Sequence, residues 1–233
     1  MKKILFAIAL FSTTVSLYSQ NVTKGSFDAL SEESIVSLKI DYTNALINGI
    51  PFDIFLDIED NWEKGYKEIL LKLISSVNKA SQSIKYTTKE TCNYHLIFKA
   101  NKVDRDGETY GSLILLDKEG NTIGEADGFD ADGGTFGSQM NLMGDAAEEL
   151  GNSIGKNIQK LIDLGKAKKL VFQFIQNSGE EGIKQISLEY KLKKIEGFNH
   201  RNLEYVKWCV EYSLKELKNE QKIINKKFKW RTI

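Results

Sequence analysis

Four carboxylates, Glu125, Asp127, Asp130 and Asp132, fall close together in the chain beside flexible glycines. Hard oxygen donors grouped in this way could hold Ca²⁺, which asks for roughly six or more converging oxygens. Paired carboxylates can also act as acid and base in the hydrolysis of a polymer, if they face one another at a set separation. The spacing does not follow an EF-hand loop, in which ligands alternate before a distal Glu. Solvated turn residues are the plainer reading. We therefore expect no metal and no cofactor.

The other reactive residues are sparse. His95 and His200 have no cysteine or second histidine at ligand spacing, which argues against zinc. A lone histidine carries no mechanism, so both read as structural or surface residues. Ser138 sits in Gly137-Ser138-Gln139-Met140-Asn141, which lacks the second glycine of a nucleophile elbow. The stretch Asp132-Gly133-Gly134-Thr135-Phe136-Gly137-Ser138 precedes a helix, whose N-terminal amides could attract an anion. It has no Walker lysine and no G-x-G-x-x-G, and Asp145, Glu148 and Glu149 would repel a phosphate. It reads as a close-packed turn. Cys92 and Cys209 could form one disulfide in an oxidising compartment, or stand as two separate half-buried thiols.

Charge is segregated along the chain. Asp104 to Glu149 holds twelve acidic and two basic residues, whereas Lys215 to Ile233 holds seven basic and two acidic ones. The basic tail contains Phe228, Trp230, Lys222, Lys226, Lys227 and Lys229. Peripheral contact with an anionic membrane surface or an acidic partner is one reading of it. A solvated helix end, with cations suited to the C-terminal dipole, is the preferred one. The whole chain holds 32 basic and 32 acidic residues, and without Lys2 and Lys3 the net is −2, so no nucleic acid is expected as a partner.

The chain begins Met1-Lys2-Lys3, followed by the apolar run Ile4–Phe11 and then small and polar residues up to Ser19 before Gln20. A charged start, a short apolar run and a small residue before the cut are the parts of a secretory signal. The run is shorter than the roughly 20 residues that span a bilayer. We expect cleavage between Ser19 and Gln20, no transmembrane segment in the mature chain, and a periplasmic or extracellular location. With no cysteine at the cut, a lipid anchor is not expected there.

Periodicity then sets the elements that must position these residues. Val36, Leu38, Ile40 and Tyr42 alternate, as do Ile50, Phe52, Ile54, Leu56 and Ile58, which predicts a hairpin over residues 35–58 turning at Asn48-Gly49. Trp62, Tyr66, Ile69, Leu70, Leu73, Val77 and Ala80 predict a helix over 61–80, with Asp60 and Glu63 as its capping box. Three strands follow, from Tyr94, Tyr110 and Thr122, with turns at Asp106-Gly107 and Lys118–Asn121. Met143, Ala147, Leu150, Ile154, Ile158 and Leu161 predict a second helix, with Gly151 and Gly155 close on a sheet and Gly165 as its stop. The run Leu170–Ile175 is strand or helix, and a long helix is expected from Arg201 past Ile224.

The expected fold is α+β: an antiparallel sheet in β-β-α-β-β-β-α order with two helices on one face, then a mainly helical C-terminal segment. The expected divisions are residues 1–19 (signal), 20–165 and 166–233. The order over residues 50–163 resembles the N-terminal domain of the TolB type, the curli-secretion CsgG type and lipoprotein activators of penicillin-binding proteins. Tyr94-His95-Leu96-Ile97-Phe98-Lys99 and Leu115–Asn121 look like their central strands and turn. Gly134-Thr135-Phe136-Gly137-Ser138 with Asn141-Leu142-Met143-Gly144-Asp145 is similar to a stretch of uncharacterised secreted proteins of Bacteroidetes-type bacteria. The resemblance implies an envelope protein that contacts other envelope components. Together these readings predict an exported, non-catalytic protein that binds an envelope or surface partner. The alternatives are an envelope-polymer hydrolase using the acidic-loop carboxylates, and a small-ligand or calcium carrier.

Overall fold

Residues 20–226 and 228–232 are described by a computed structural model. The segment 1–19, with Ser19, lies outside the described residues, and Gln20 is the first inside them. The chain forms two units, one of residues 20–25 with Ser34–Asn157 and the other of Ser26–Glu33 with Ile158–Ile233.

The first unit runs β1 (Asn21–Gly25), β2 (Ile35–Asp41), β3 (Leu46–Ile47), β4 (Ile50–Pro51), α1 (Phe52–Ile58) and α2 (Trp62–Ala80). Then come β5 (Lys85–Thr87), β6 (Tyr94–Val103), β7 (Thr109–Asp117), β8 (Thr122–Ala131) and the start of α3 (Gln139–Gln176). The fold is α+β. The sheet order is β1-β8-β7-β6-β2-β5, with β3 set against β6 and β4. The expected meander is present, and Gly107 and Gly120 supply the positive φ its two turns require, at 81° and 83°. Alternation hides one face of it. Leu38, Leu96 and Leu115 form one buried row, and Ile40, Phe98 and Leu113 the next.

The sheet is mixed, not antiparallel throughout. β2 runs parallel to both β5 and β6, because α1 and α2 carry the chain back before β5 begins. The turn at Asn48-Gly49 forms as read, with φ of 55° and 78°. Its strands are only two residues long, and residues 52–58 are helix where a strand was expected. Pro51 has a fixed φ and no N–H to satisfy, which suits the residue entering a helix. Of α1's side chains only Phe55 is buried, so period two did not mark a sheet face. β1 was missed because an exposed edge strand shows no alternation. The capping box at Asp60 is absent too: α2 begins at Trp62, and no side chain caps it.

α2 and the first part of α3 lie side by side. A Cβ on Gly151 would meet the Leu73 carbonyl oxygen at 2.6 Å, and one on Gly155 would meet Ala80 Cβ at 2.7 Å. These glycines therefore admit α2, not the sheet. An aromatic cluster closes the start of α2: Trp62 stacks on Tyr66 and meets Phe52, Phe55 and Tyr42 edge-on.

The second unit contains the rest of α3, α4 (Gln185–Lys193), α5 (Leu203–Asn219), β9 (Ile223–Lys226) and β10 (Lys229–Thr232). The division lies inside α3 at Asn157/Ile158, not at residue 165. Gly165 does not stop the helix. It is there for close approach, since a Cβ would meet Ser26 Oγ at 2.0 Å. Leu170–Ile175 is helical, with Val171 and Ile175 buried. The C-terminal helix ends at Asn219, and Gln221 turns left-handed at φ 56°. The basic tail is an antiparallel hairpin whose Trp230 pairs with Ile183 through two backbone hydrogen bonds, so the helix-end reading is corrected.

Candidate functional site

A connected set of polar groups lies within the core of the second unit, around Asp163. Its neighbours Leu161, Ile162 and Leu164 are buried apolar residues, and Asp163 itself is only 4% exposed. A buried carboxylate needs partners, because its desolvation otherwise outweighs everything else it does. It has three. Gln159, one turn earlier on α3, donates to Oδ1 at 2.9 Å. The Arg201 guanidinium and the Tyr205 hydroxyl each donate to Oδ2 at 2.9 Å.

Local sequence explains how these donors arrive. Asn202 caps α5, its side-chain oxygen accepting from the Tyr205 amide at 2.8 Å, and this fixes the first turn. Lys193, at the end of α4, donates to the Asn199 and Arg201 carbonyls and so holds the connecting loop closed. Arg201 is thereby presented over the Tyr205 ring, with its guanidinium 5.3 Å from the ring centre. Cys209 follows Tyr205 by four residues on α5 and is fully buried.

Electrostatics then decide what this arrangement can do. Burial, followed by the Asp163 charge, pushes the Cys209 thiol up to about 12, so it remains a thiol at neutral pH. Only the thiolate is nucleophilic, and this cysteine is inert. Burial and Asp163 also raise Tyr205 far above the ordinary phenol range, which keeps it a hydrogen-bond donor. Both Asp163 oxygens are engaged. The cluster joins α3 to α5 and offers neither an open base nor a nucleophile.

The residues singled out in sequence lie elsewhere. Glu125, Asp127 and Asp130 alternate with the buried Gly124, Ala126, Phe129 and Ala131, on the outer face of β8. Asp132 is exposed beyond the strand, its backbone N–H donating to Glu149 at 2.9 Å. Among the described residues, no group of three or more His, Cys, Asp or Glu side chains is placed to hold a metal ion. Cys92 is half-buried in the first unit and Cys209 is buried in the second, each with a free thiol. His95 lies half-buried on β6, and His200 is exposed beside Asn199. The glycine-rich stretch is a close-packed turn, for a Cβ on Gly133 would meet the Asp106 carbonyl oxygen at 1.8 Å. Among the described residues, no helix is long and apolar enough to cross a membrane.

Sequence reasoning passed over the Asp163 cluster. Its signal was a lone acid inside the apolar run Leu161–Leu164, with Gln159 four residues before it. The matching signal on α5 was Arg201, Tyr205 and Cys209 at steps of four.

No family model matches the chain, and no curated protein matches it. Among solved structures it is similar to the PelC dodecamer from Paraburkholderia phytofirmans, at 8% identity and a TM-score of 0.31, over 58% of this chain and 96% of that one. A variant of the same PelC in another crystal form gives 9% identity and a TM-score of 0.29, over 58% and 95%. Likeness at that level carries no argument about function.

Proposed function

We propose that this protein is exported and works without catalysis, by binding a protein or surface partner in a bacterial cell envelope. The observation that carries the reading is a contrast within the molecule. Both oxygens of the buried Asp163 are taken up by Gln159, Arg201 and Tyr205, while large apolar side chains stand in solvent on α1 (Ile54 and Ile58 at 49% and 64% exposure). Exposed apolar groups gathered on one element mark contact surfaces. The charged and apolar start of the chain supports export, with cleavage before Gln20. The likeness of its strand and turn residues to TolB-type and CsgG-type domains supports an envelope setting.

Proximity labelling in the native cell tests it. The full-length chain fused to a labelling enzyme should enrich the same envelope proteins reproducibly, and the purified mature protein should begin at Gln20. A labelled set no different from that of an unrelated exported control would overturn the proposal.

A further inference from the structure

The two units carry opposite charge. Residues 20–25 with Ser34–Asn157 hold thirteen basic and twenty acidic residues, a net of −7. Ser26–Glu33 with Ile158–Ile233 hold seventeen basic and twelve acidic, a net of +5. Each unit also exposes apolar side chains beside a run of charge of a single sign. On the first, α1 shows Ile54, Leu56 and Ile58 to solvent, and Leu46 of the adjacent β3 is 46% exposed. Asp53, Asp57, Glu59 and Asp60 are set among them, and there is no basic residue between Asp41 and Lys64.

On the second unit, the β9–β10 hairpin is the counterpart. From Lys222 to Ile233 there are five basic residues and no acidic one. Ile224 is 41% exposed, and Phe228 at the turn is 88% exposed. Phe228 also has a φ of 62°, a left-handed conformation that strains a bulky residue and that turns normally assign to Gly or Asn. A ring held out in solvent on strained backbone contributes nothing to its own fold. Strain of this kind gathers where a partner is met.

We propose that the partner is a second copy of this chain, docked head to tail. The Phe228 hairpin of one copy seats on the α1 face of the next, with its basic residues against Asp53, Asp57, Glu59 and Asp60. Each surface pairs exposed apolar side chains with charge of one sign, and the two signs are opposite. The contact joins two different patches, so it propagates into larger assemblies or closes into a ring. It assigns to a second copy the α1 face on which the reading above rests, and assembly of the purified chain is measured with no envelope partner present.

Sedimentation velocity on the mature chain from Gln20 tests it. The mass should rise with protein concentration and fall as salt is added, since the contact is partly ionic. F228D should be monomeric, and so should the double variant I54D/I58D. An equimolar mixture of the two should form dimers and nothing larger, because only one intact face and one intact hairpin remain per pair. F228G should melt higher than the parent yet fail to assemble, which separates folding from docking. A parent that is monomeric at every concentration, or a mixture of the two variants that stays monomeric, would overturn the proposal. Phe228-dependent binding of a monomer to phosphatidylglycerol vesicles would overturn it too, by assigning the hairpin to a bilayer.

Discussion

Replacing Gly151 and Gly144 by alanine should move stability in opposite directions, although both lie on α3. Helix propensity alone favours Ala over Gly by about 1 kcal/mol at either site. At Gly144 the new Cβ would meet only the Lys72 side chain, its Nζ at 3.2 Å and its Cδ at 3.3 Å; that chain is 42% exposed and can shift while keeping its ion pair to Asp145. The propensity gain should survive there, and G144A should stabilise by about 0.5–1 kcal/mol. At Gly151 the neighbours are backbone: the Leu73 carbonyl oxygen at 2.6 Å and the Val77 nitrogen at 2.9 Å, with Ser76 Cβ also at 2.9 Å. Relieving that contact means pushing two helices apart, and overpacking of this kind costs about 1–3 kcal/mol. The cost exceeds the gain. G151A should destabilise by about 1 kcal/mol net, the difference between these two effects. Urea unfolding followed by circular dichroism, with unchanged slope, reads both values. If G151A were as stabilising as G144A, the close approach of α2 and α3 would be refuted.

The Asp163 cluster makes further commitments. Tyr205→Phe should cost about 1.5–3 kcal/mol, the worth of a hydrogen bond to a charged group. Asp163→Ala should cost about 3 kcal/mol, the low end for breaking a buried pair, because the Arg201 side chain keeps 33% of its surface in water. The double variant, measured in the same urea series, should lose less than the sum. Asn202→Ala should cost about 1 kcal/mol in the same assay through loss of the α5 cap. Alkaline pH should expose Cys209. Its thiol titrates near 9.0 when unfolded and about 12 when folded, so the stability it contributes is full below pH 9 and is lost as pH rises towards 12. Cys209→Ala should therefore flatten the decline of unfolding free energy above pH 9 by up to about 1.4 kcal/mol per pH unit.

What the sequence made legible follows from where burial is one-sided. The β6–β7–β8 meander was readable because one face alone is buried and its turns need glycine at Gly107 and Gly120. Period two misled at residues 52–58, where a mostly exposed helix carries its apolar side chains into solvent and so leaves no stripe. Gly165 was read as a stop because local pattern cannot tell a helix end from a site where Ser26 approaches the backbone. The tail hairpin depends on Ile183 as a distant pairing partner, which no local window contains. The Asp163 cluster needs Asp163 and Arg201 to meet across a loop and a helix, so spacing showed two halves and not their union. The acidic residues at 125–132 stood out in sequence for being abundant, and along β8 three of them alternate with buried neighbours.

The reactivity of Cys209 tests most directly whether the Asp163 cluster is closed and inert. In a Cys92→Ser background, the native protein would be treated with a maleimide at neutral pH and its labelling rate compared with the rate in urea. Labelling should proceed only as fast as the protein unfolds, and it should rise in parallel with the destabilisation caused by Tyr205→Phe. A native rate close to that of a free exposed thiol would mean that the site is open and the cysteine activated, and the non-catalytic reading would fall.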